Sequence, residues 1–220
     1  MVVFFIEKPS FLICFTGVDG SGKTTHAKYL WKSLQHKGYS SNYTWAGSKP
    51  VFSYLFLGIT RMLGYWKTVK KGDWMDPLEK APRKVREGLG VLYRLLLYID
   101  FEITTSIKIR IPLSSGKIVI CDRYVYDLIM ELMLSNLYTT KYGKLLLRTI
   151  PSPKKVFFAD AQLDLIIQRR PDSNQQRVLA KRNIYRKLAQ ALGFRIIDTL
   201  MTFETNQEQI RREIDLLLKH

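Results

Sequence analysis

Strand-like runs recur along the chain at 11–16, 40–46, 117–121, 154–159 and 194–198. Between them the apolar positions switch to helical spacing, as at Ala27, Leu30, Trp31 and Leu34, a pattern that closes at Gly38 in the place of a helix C-cap. Strands alternating with helices predict βαβ crossovers, which are right-handed. The expected architecture is therefore α/β: a five-stranded parallel sheet covered by helices on both faces, in three layers.

The longest periodic stretch spans 89–110. Leu92, Leu95, Leu96, Ile99, Ile103 and Ile107 form one apolar stripe at spacings of three and four, and Pro112 with the Ser114-Ser115-Gly116 turn should end the helix. Arg94, Tyr98, Phe101 and Thr105 share a different face, which could pack against a neighbour or line a pocket. Two segments break the rhythm. Residues 67–88 are polar and mostly basic and read as an exposed insertion; residues 169–177 form a second polar island with the character of a mobile lid. The opening Met1–Ile6 is apolar but is stopped by Glu7-Lys8-Pro9. It is too short for a signal-peptide core and reads as an extra strand or an N-terminal arm over 1–10.

The sharpest local signal lies between the first strand and the first helix. Gly17-Val18-Asp19-Gly20-Ser21-Gly22-Lys23-Thr24-Thr25 fills the template G-x-x-x-x-G-K-[ST], a phosphate-cradling P-loop. Glycines at 17, 20 and 22 let successive backbone N–H groups converge on one phosphate, and the positive end of the following helix adds to the field. Gly17, Gly20, Ser21, Gly22, Lys23, Thr24 and Thr25 are thus the expected ATP-binding set. Lys23 would reach the terminal phosphates and the Thr24 hydroxyl would hold Mg2+.

At 220 residues, 46% hydrophobic and 12% aromatic, the chain can bury the core of a single domain. Its 35 basic and 19 acidic side chains give a formal charge of +16, which attracts polyanions: nucleotides first, with nucleic acid or an anionic membrane as further options. Because the excess is spread along the chain, a generally basic solvated surface is the simpler reading. Cys14 and Cys121 fall inside strand-like runs, as packed, reduced thiols of a cytoplasmic protein do. His26, His36 and His220 show no metal-ligand spacing. No run reaches the ~20 apolar residues of a membrane span, since Arg94 and Asp100 interrupt the richest segment.

A second constellation follows the long helix. Lys117-Ile118-Val119-Ile120-Cys121-Asp122-Arg123-Tyr124 places a charged pair at the carboxyl end of a buried strand, where ligands of open α/β sheets gather. Asp122 suits Mg2+, directly or through water, and the planar fork of Arg123 suits an acceptor phosphate. Phosphoryl transfer also asks for positive charge around the transferred group. The polar island offers Arg169, Arg170 and Arg177, with Arg182 a turn or so beyond.

Phe15 to Thr25, Gly116 to Tyr124, and Phe157-Phe158-Ala159-Asp160 followed by Arg169 together resemble the thymidylate kinases, nucleoside monophosphate kinases with a P-loop. In that family the loop has the form G-x-D-G-x-G-K, a D-R-Y or D-R-H triplet ends a later strand, and a lid arginine follows the next one. The resemblance covers most of residues 11–215. It implies a P-loop kinase fold, transfer of the γ-phosphoryl of Mg·ATP to a nucleotide, most simply dTMP, and a homodimer. It further implies that Arg169 with Arg177 belongs to a lid over ATP; together with Lys23, Asp122 and Arg123, read from their own positions, Arg169 completes the expected catalytic set. Asp19, Tyr98 and Arg123 would meet the acceptor, Tyr98 as the pyrimidine-stacking aromatic. Two departures stand out: Glu102 occupies the place of the family's phosphate-gripping arginine, and Trp45–Pro50 replaces its R-E-P-G segment. The same loop would also serve a kinase with another acceptor, such as a nucleoside or small hydroxyl compound, or an ATPase stimulated by nucleic acid or a partner.

Overall fold

In the computed structural model, which describes residues 9–47, 51–65 and 83–219, five strands form one parallel sheet. They are β1 (Leu12–Thr16), β2 (Ser41–Trp45), β3 (Ile118–Asp122), β4 (Lys155–Asp160) and β5 (Arg195–Asp198). Their order across the sheet is β2-β3-β1-β4-β5. Each expected strand is present to within a residue or two. Burial on both faces explains why β1, β3 and β4 read as unbroken apolar runs rather than as alternating ones.

Along β1 the side chains alternate between two cores. Ile13 and Phe15 face α1 (Lys23–His36), through Ala27, Leu30 and Leu34, and α9 (Phe203–Leu218), through Ile210 and Ile214. Leu12 and Cys14 face the other layer, which holds α3 (Arg83–Thr105), α5 (Val125–Leu134), α6 (Thr140–Thr149), α7 (Leu163–Arg169) and α8 (Gln175–Leu192). This is the three-layer α/β/α arrangement of the P-loop kinases. Cys14 and Cys121 are opposite one another on β1 and β3, buried and unbridged.

The register brings strand ends together. Phe15 pairs with Asp122, and Asp122 with Trp45, so the carboxyl ends of β1, β2 and β3 finish at one rim. Arg123 N–H still donates to Phe15 O at 2.9 Å, which carries the ladder one residue past β3.

The long helix differs from its expected form. α3 begins at Arg83, so 83–88 are helical rather than part of an insertion. It continues through a π turn at Ser106–Arg110 into α4 (Ile111–Ser114). Pro112 lies inside that last turn, at a leading position where its missing N–H costs little. The expected N-terminal arm and the insertion lie outside the described residues over 1–8 and 67–82.

The packing decides which side of the long helix faces inward. Leu92, Leu95, Ile99, Ile103 and Ile107 are exposed, Ile107 at 60%. The buried face is instead Tyr93, Leu97, Asp100, Phe101 and Thr105. Asp100 anchors α2 (Phe52–Met62) by accepting from the amides of Val51, Phe52 and Ser53 at 2.9–3.0 Å and from the Ser53 hydroxyl at 2.7 Å. Burial works against ionisation, but those donors hold the Asp100 carboxyl below its ordinary range.

Candidate functional site

The loop joining β1 to α1 needs its glycines. Gly17 has φ +143°, and a Cβ there would stand 2.7 Å from Ala159 O of β4. Gly22, at φ +87°, is the residue that starts α1. Lys23 is buried at 4% exposure, while Thr24 and Thr25 in the same turn are exposed. Gly20, Ser21, Gly22, Lys23, Thr24 and Thr25 line a cleft of about 400 Å3. Its other walls include Arg169, Arg170, Met201 and Phe203. The amides that open α1 face a space large enough for a phosphate chain.

At the rim, the Thr24 hydroxyl donates to Asp122 Oδ2 at 2.6 Å, and Tyr43 OH donates to the same oxygen at 3.0 Å. Asp122 is 1% exposed, and its Oδ1 is buried with no hydrogen-bond partner among the described residues. An orphaned carboxylate oxygen beside a hydroxyl is a hard-oxygen pair that fits Mg2+ directly or through its waters.

Beside the loop is a knot of four charges, Lys23, Asp19, Arg123 and Asp127. Lys23 Nζ donates to Val18 O and to Asp19 Oδ1, both at 3.2 Å. Arg123 forms an ion pair with Asp19 Oδ1, and its other side is 3.7 Å from Asp127 Oδ1. Burial disfavours the Asp19 carboxylate, yet Lys23 and then Arg123 outweigh it and hold the group at about 2. Burial pushes the Lys23 ammonium down, aided by Arg123, with Asp19 pulling the other way. Arg123 holds φ +66°, a left-handed conformation that is rare for a side-chain-bearing residue.

Asp127 went unrecognised in the sequence, although an acidic side chain three residues into a helix after a strand is a helix-start signal. It accepts from Thr16 Oγ1 at 2.9 Å, Tyr124 N at 3.0 Å and Tyr185 OH at 2.7 Å, and so ties β1, α5 and α8 together behind Arg123. Burial raises its pKa; Arg123 and Lys23 oppose that rise. Tyr43 is the other omission, since nothing in its local sequence marks it as a partner of Asp122.

The expected lid is shorter than its polar sequence. Arg169 is the last residue of α7, residues 170–174 form the turn, and Arg177 is in the first turn of α8, where its amide donates to the Asn174 side chain at 2.9 Å. Arg169 Nη1 donates to Gly20 O at 2.9 Å, which puts this arginine against the loop. Arg177 instead reaches Glu131 of α5 at 3.2 Å, beside Lys181 on the same carboxylate. Arg182 is bound to Asp160 at 2.6 Å. Of the arginines on or near the polar island, Arg169 and Arg170 are therefore the pair at the cleft.

Tyr98 is half-buried and packs against the core layer that holds Phe101. Glu102 bonds Arg110 of the π turn at 2.8 Å, so its charge is matched within the helix.

A P-loop at the carboxyl end of the central strand of this sheet is the arrangement of the P-loop kinase fold. No protein-family model matches the chain. Among curated proteins, it is 27% identical to a probable thymidylate kinase of Sulfurisphaera tokodaii over 215 residues, which cover 94% of this chain and 97% of that one. A thymidylate kinase of Symbiobacterium thermophilum is 24% identical over 225 residues, 95% of this chain and 94% of the relative. A probable thymidylate kinase of Pyrococcus horikoshii is 35% identical over 120 residues, a stretch that spans 53% of this chain and 49% of that relative. Similarity to thymidylate kinases over nearly the whole chain supports membership of that family and marks the protein as a phosphotransferase. Among the described residues no helix is long and apolar enough to cross a membrane.

Proposed function

We propose that the protein transfers the γ-phosphoryl group of ATP to a nucleoside monophosphate, dTMP in the first instance. The observation that carries this reading is the meeting of Thr24 with Asp122, 98 positions apart, with Lys23 and Arg123 alongside. The relatives named thymidylate kinase supply the choice of dTMP.

In this reading the amides of the loop and Lys23 hold the donor's phosphates, and Arg169 closes on their outer side. Thr24 and Asp122 would hold Mg2+, which would supply neutralisation of the phosphate charge. Arg123 orients the acceptor phosphate, and Tyr98 offers a ring on which a base can stack. Asp19 has the position to exchange its hold on Lys23 and Arg123 for the acceptor sugar; its side chain is 51% exposed, so it can turn away. The released cations would then meet the incoming phosphates. Arg177 joins the lid in this reading only by leaving Glu131.

A second copy of the chain is the proposed partner. The exposed stripe of α3, with Leu55, Ile59 and Met62 of α2, is a large apolar surface of the kind that marks a protein interface. The free, buried Cys14 and Cys121 agree with a cytoplasmic setting.

One observation favours a neighbouring reading. Arg123 already has two carboxylates, Asp19 and Asp127, so an acceptor without a phosphate would leave those pairs intact. A panel of acceptors with labelled ATP separates the two: dTMP phosphorylated in preference to thymidine and uridine supports the proposal, and the reverse order replaces it. Hydrolysis without any acceptor, stimulated by nucleic acid and lost with salt, would replace both.

A further inference from the structure

His26 has no part in the function described above, yet it is built into the site. It sits in the first turn of α1 with 5% of its surface exposed. Its ring lies nearly parallel to that of Phe203, at 21° with centroids 5.0 Å apart, and Tyr29 meets Phe203 edge-on. Gln207 Nε2 is 2.7 Å from His26 Nδ1. With the Gln207 amide nitrogen as the donor, Nδ1 accepts and the ring proton is on Nε2.

That N–H edge is turned toward the loop. A methyl group placed on Gly22 would lie 4.0 Å from His26 Nε2 and 3.9 Å from Arg169 Nη1, so the two donors flank the start of α1. Both residues line the cleft. A carboxylate at this place would repel phosphates, and a lysine would repel Arg169.

We propose that His26 is a donor-nucleotide contact residue, held by Gln207 and Phe203 so that its Nε2–H donates to an oxygen of the phosphate chain beside Arg169. The inference rests on the reading that this loop takes a nucleoside triphosphate.

The test uses the full chain labelled with 15N-histidine, titrated with ATP and, separately, with inorganic triphosphate, while calorimetry follows binding. The His26 nitrogens should show the Nε2–H tautomer. Both ligands should shift the Nε2 signal, while His36 at the far end of α1 stays in place. In steady state, His26→Ala should raise the KM for ATP about five- to ten-fold, as expected for one lost hydrogen bond, with kcat and the acceptor KM within about two-fold. His26→Gln, which keeps an N–H donor, should recover most of the loss. ATP that binds by calorimetry without moving the His26 signal overturns the inference and leaves the kinase reading intact. A shift with ATP but none with triphosphate also overturns it, because the contact would then lie at the base or sugar. Absence of any ATP binding removes both readings together. Should His26→Ala fail to fold, the titration of the wild-type chain decides.

Discussion

Lys23 shows how little of a residue's setting its motif discloses. The template places a lysine at the phosphates, but the structure adds that its ammonium is buried and bound to Val18 O and Asp19. That arrangement keeps the charge desolvated and oriented while it waits for an anion. Replacing Lys23 with Ala should lower kcat by at least about 10²–10³-fold, the range for removing one preorganised donor from a developing charge. The melting temperature should move by no more than about 4 °C, because a buried charge and its partner bonds leave together. Steady-state kinetics and a thermal scan check this, and unchanged turnover would take Lys23 out of the mechanism. Glu102 teaches the opposite lesson. The resemblance puts it where the family grips a phosphate; in three dimensions its Oε2 is paired with Arg110, while Oε1 is buried with no hydrogen-bond partner among the described residues. No reading of 102 alone could find that partner, which is reached only across the π turn.

Among the elements, α2 and α3 are joined by one carboxylate. The Asp100 carboxylate takes three amides and a hydroxyl at the start of α2, a role that its sequence position as an interruption of an apolar run gave no hint of. Its pKa is lower in the folded than in the unfolded chain. The stability it lends is therefore complete above the unfolded value, about 3.9, and is lost as pH falls through the folded one. Asp100→Asn should cost about 1–2 kcal/mol at pH 7, the usual worth of a charged cap. Urea unfolding should show the gap between the two proteins narrowing below about pH 4. A gap that stays constant or widens with acid would mean that the carboxylate charge is not what holds α2.

At the scale of the whole molecule the decisive feature is the side of α3 left open. An apolar stripe of five residues facing water is costly unless something covers it, and the proposed cover is the same stripe of a second copy about a two-fold axis. Sedimentation should therefore find a dimer, and Leu95→Glu combined with Ile103→Glu should convert it to a monomer that still folds, since both positions are exposed in the single chain. A wild-type monomer at micromolar concentration would remove that surface from the argument.

Local signals carried much of this protein. The loop is legible because its function depends on consecutive backbone amides, and the strands because burial on both faces leaves unbroken apolar runs. Even the Asp122–Arg123 pair declared itself, as charge stranded at the end of such a run. Periodicity also located the helix at 89–110 and its apolar stripe, but a stripe has no sign: it shows that one face differs from the other, not which faces inward. The packing of α3 settled that, by burying Tyr93, Leu97 and Phe101 and leaving the leucines and isoleucines outside. Partnerships across the fold were likewise decided only in three dimensions: Asp127 with Thr16 and Tyr185, Arg177 with Glu131, His26 with Gln207. Each joins side chains more than 40 residues apart in the chain, where composition and spacing carry no information about distance. The sequence by itself determined the sheet, the loop and the chemistry they invite; the tertiary structure decided which charges are matched, which arginines meet the cleft and which apolar side chains face water.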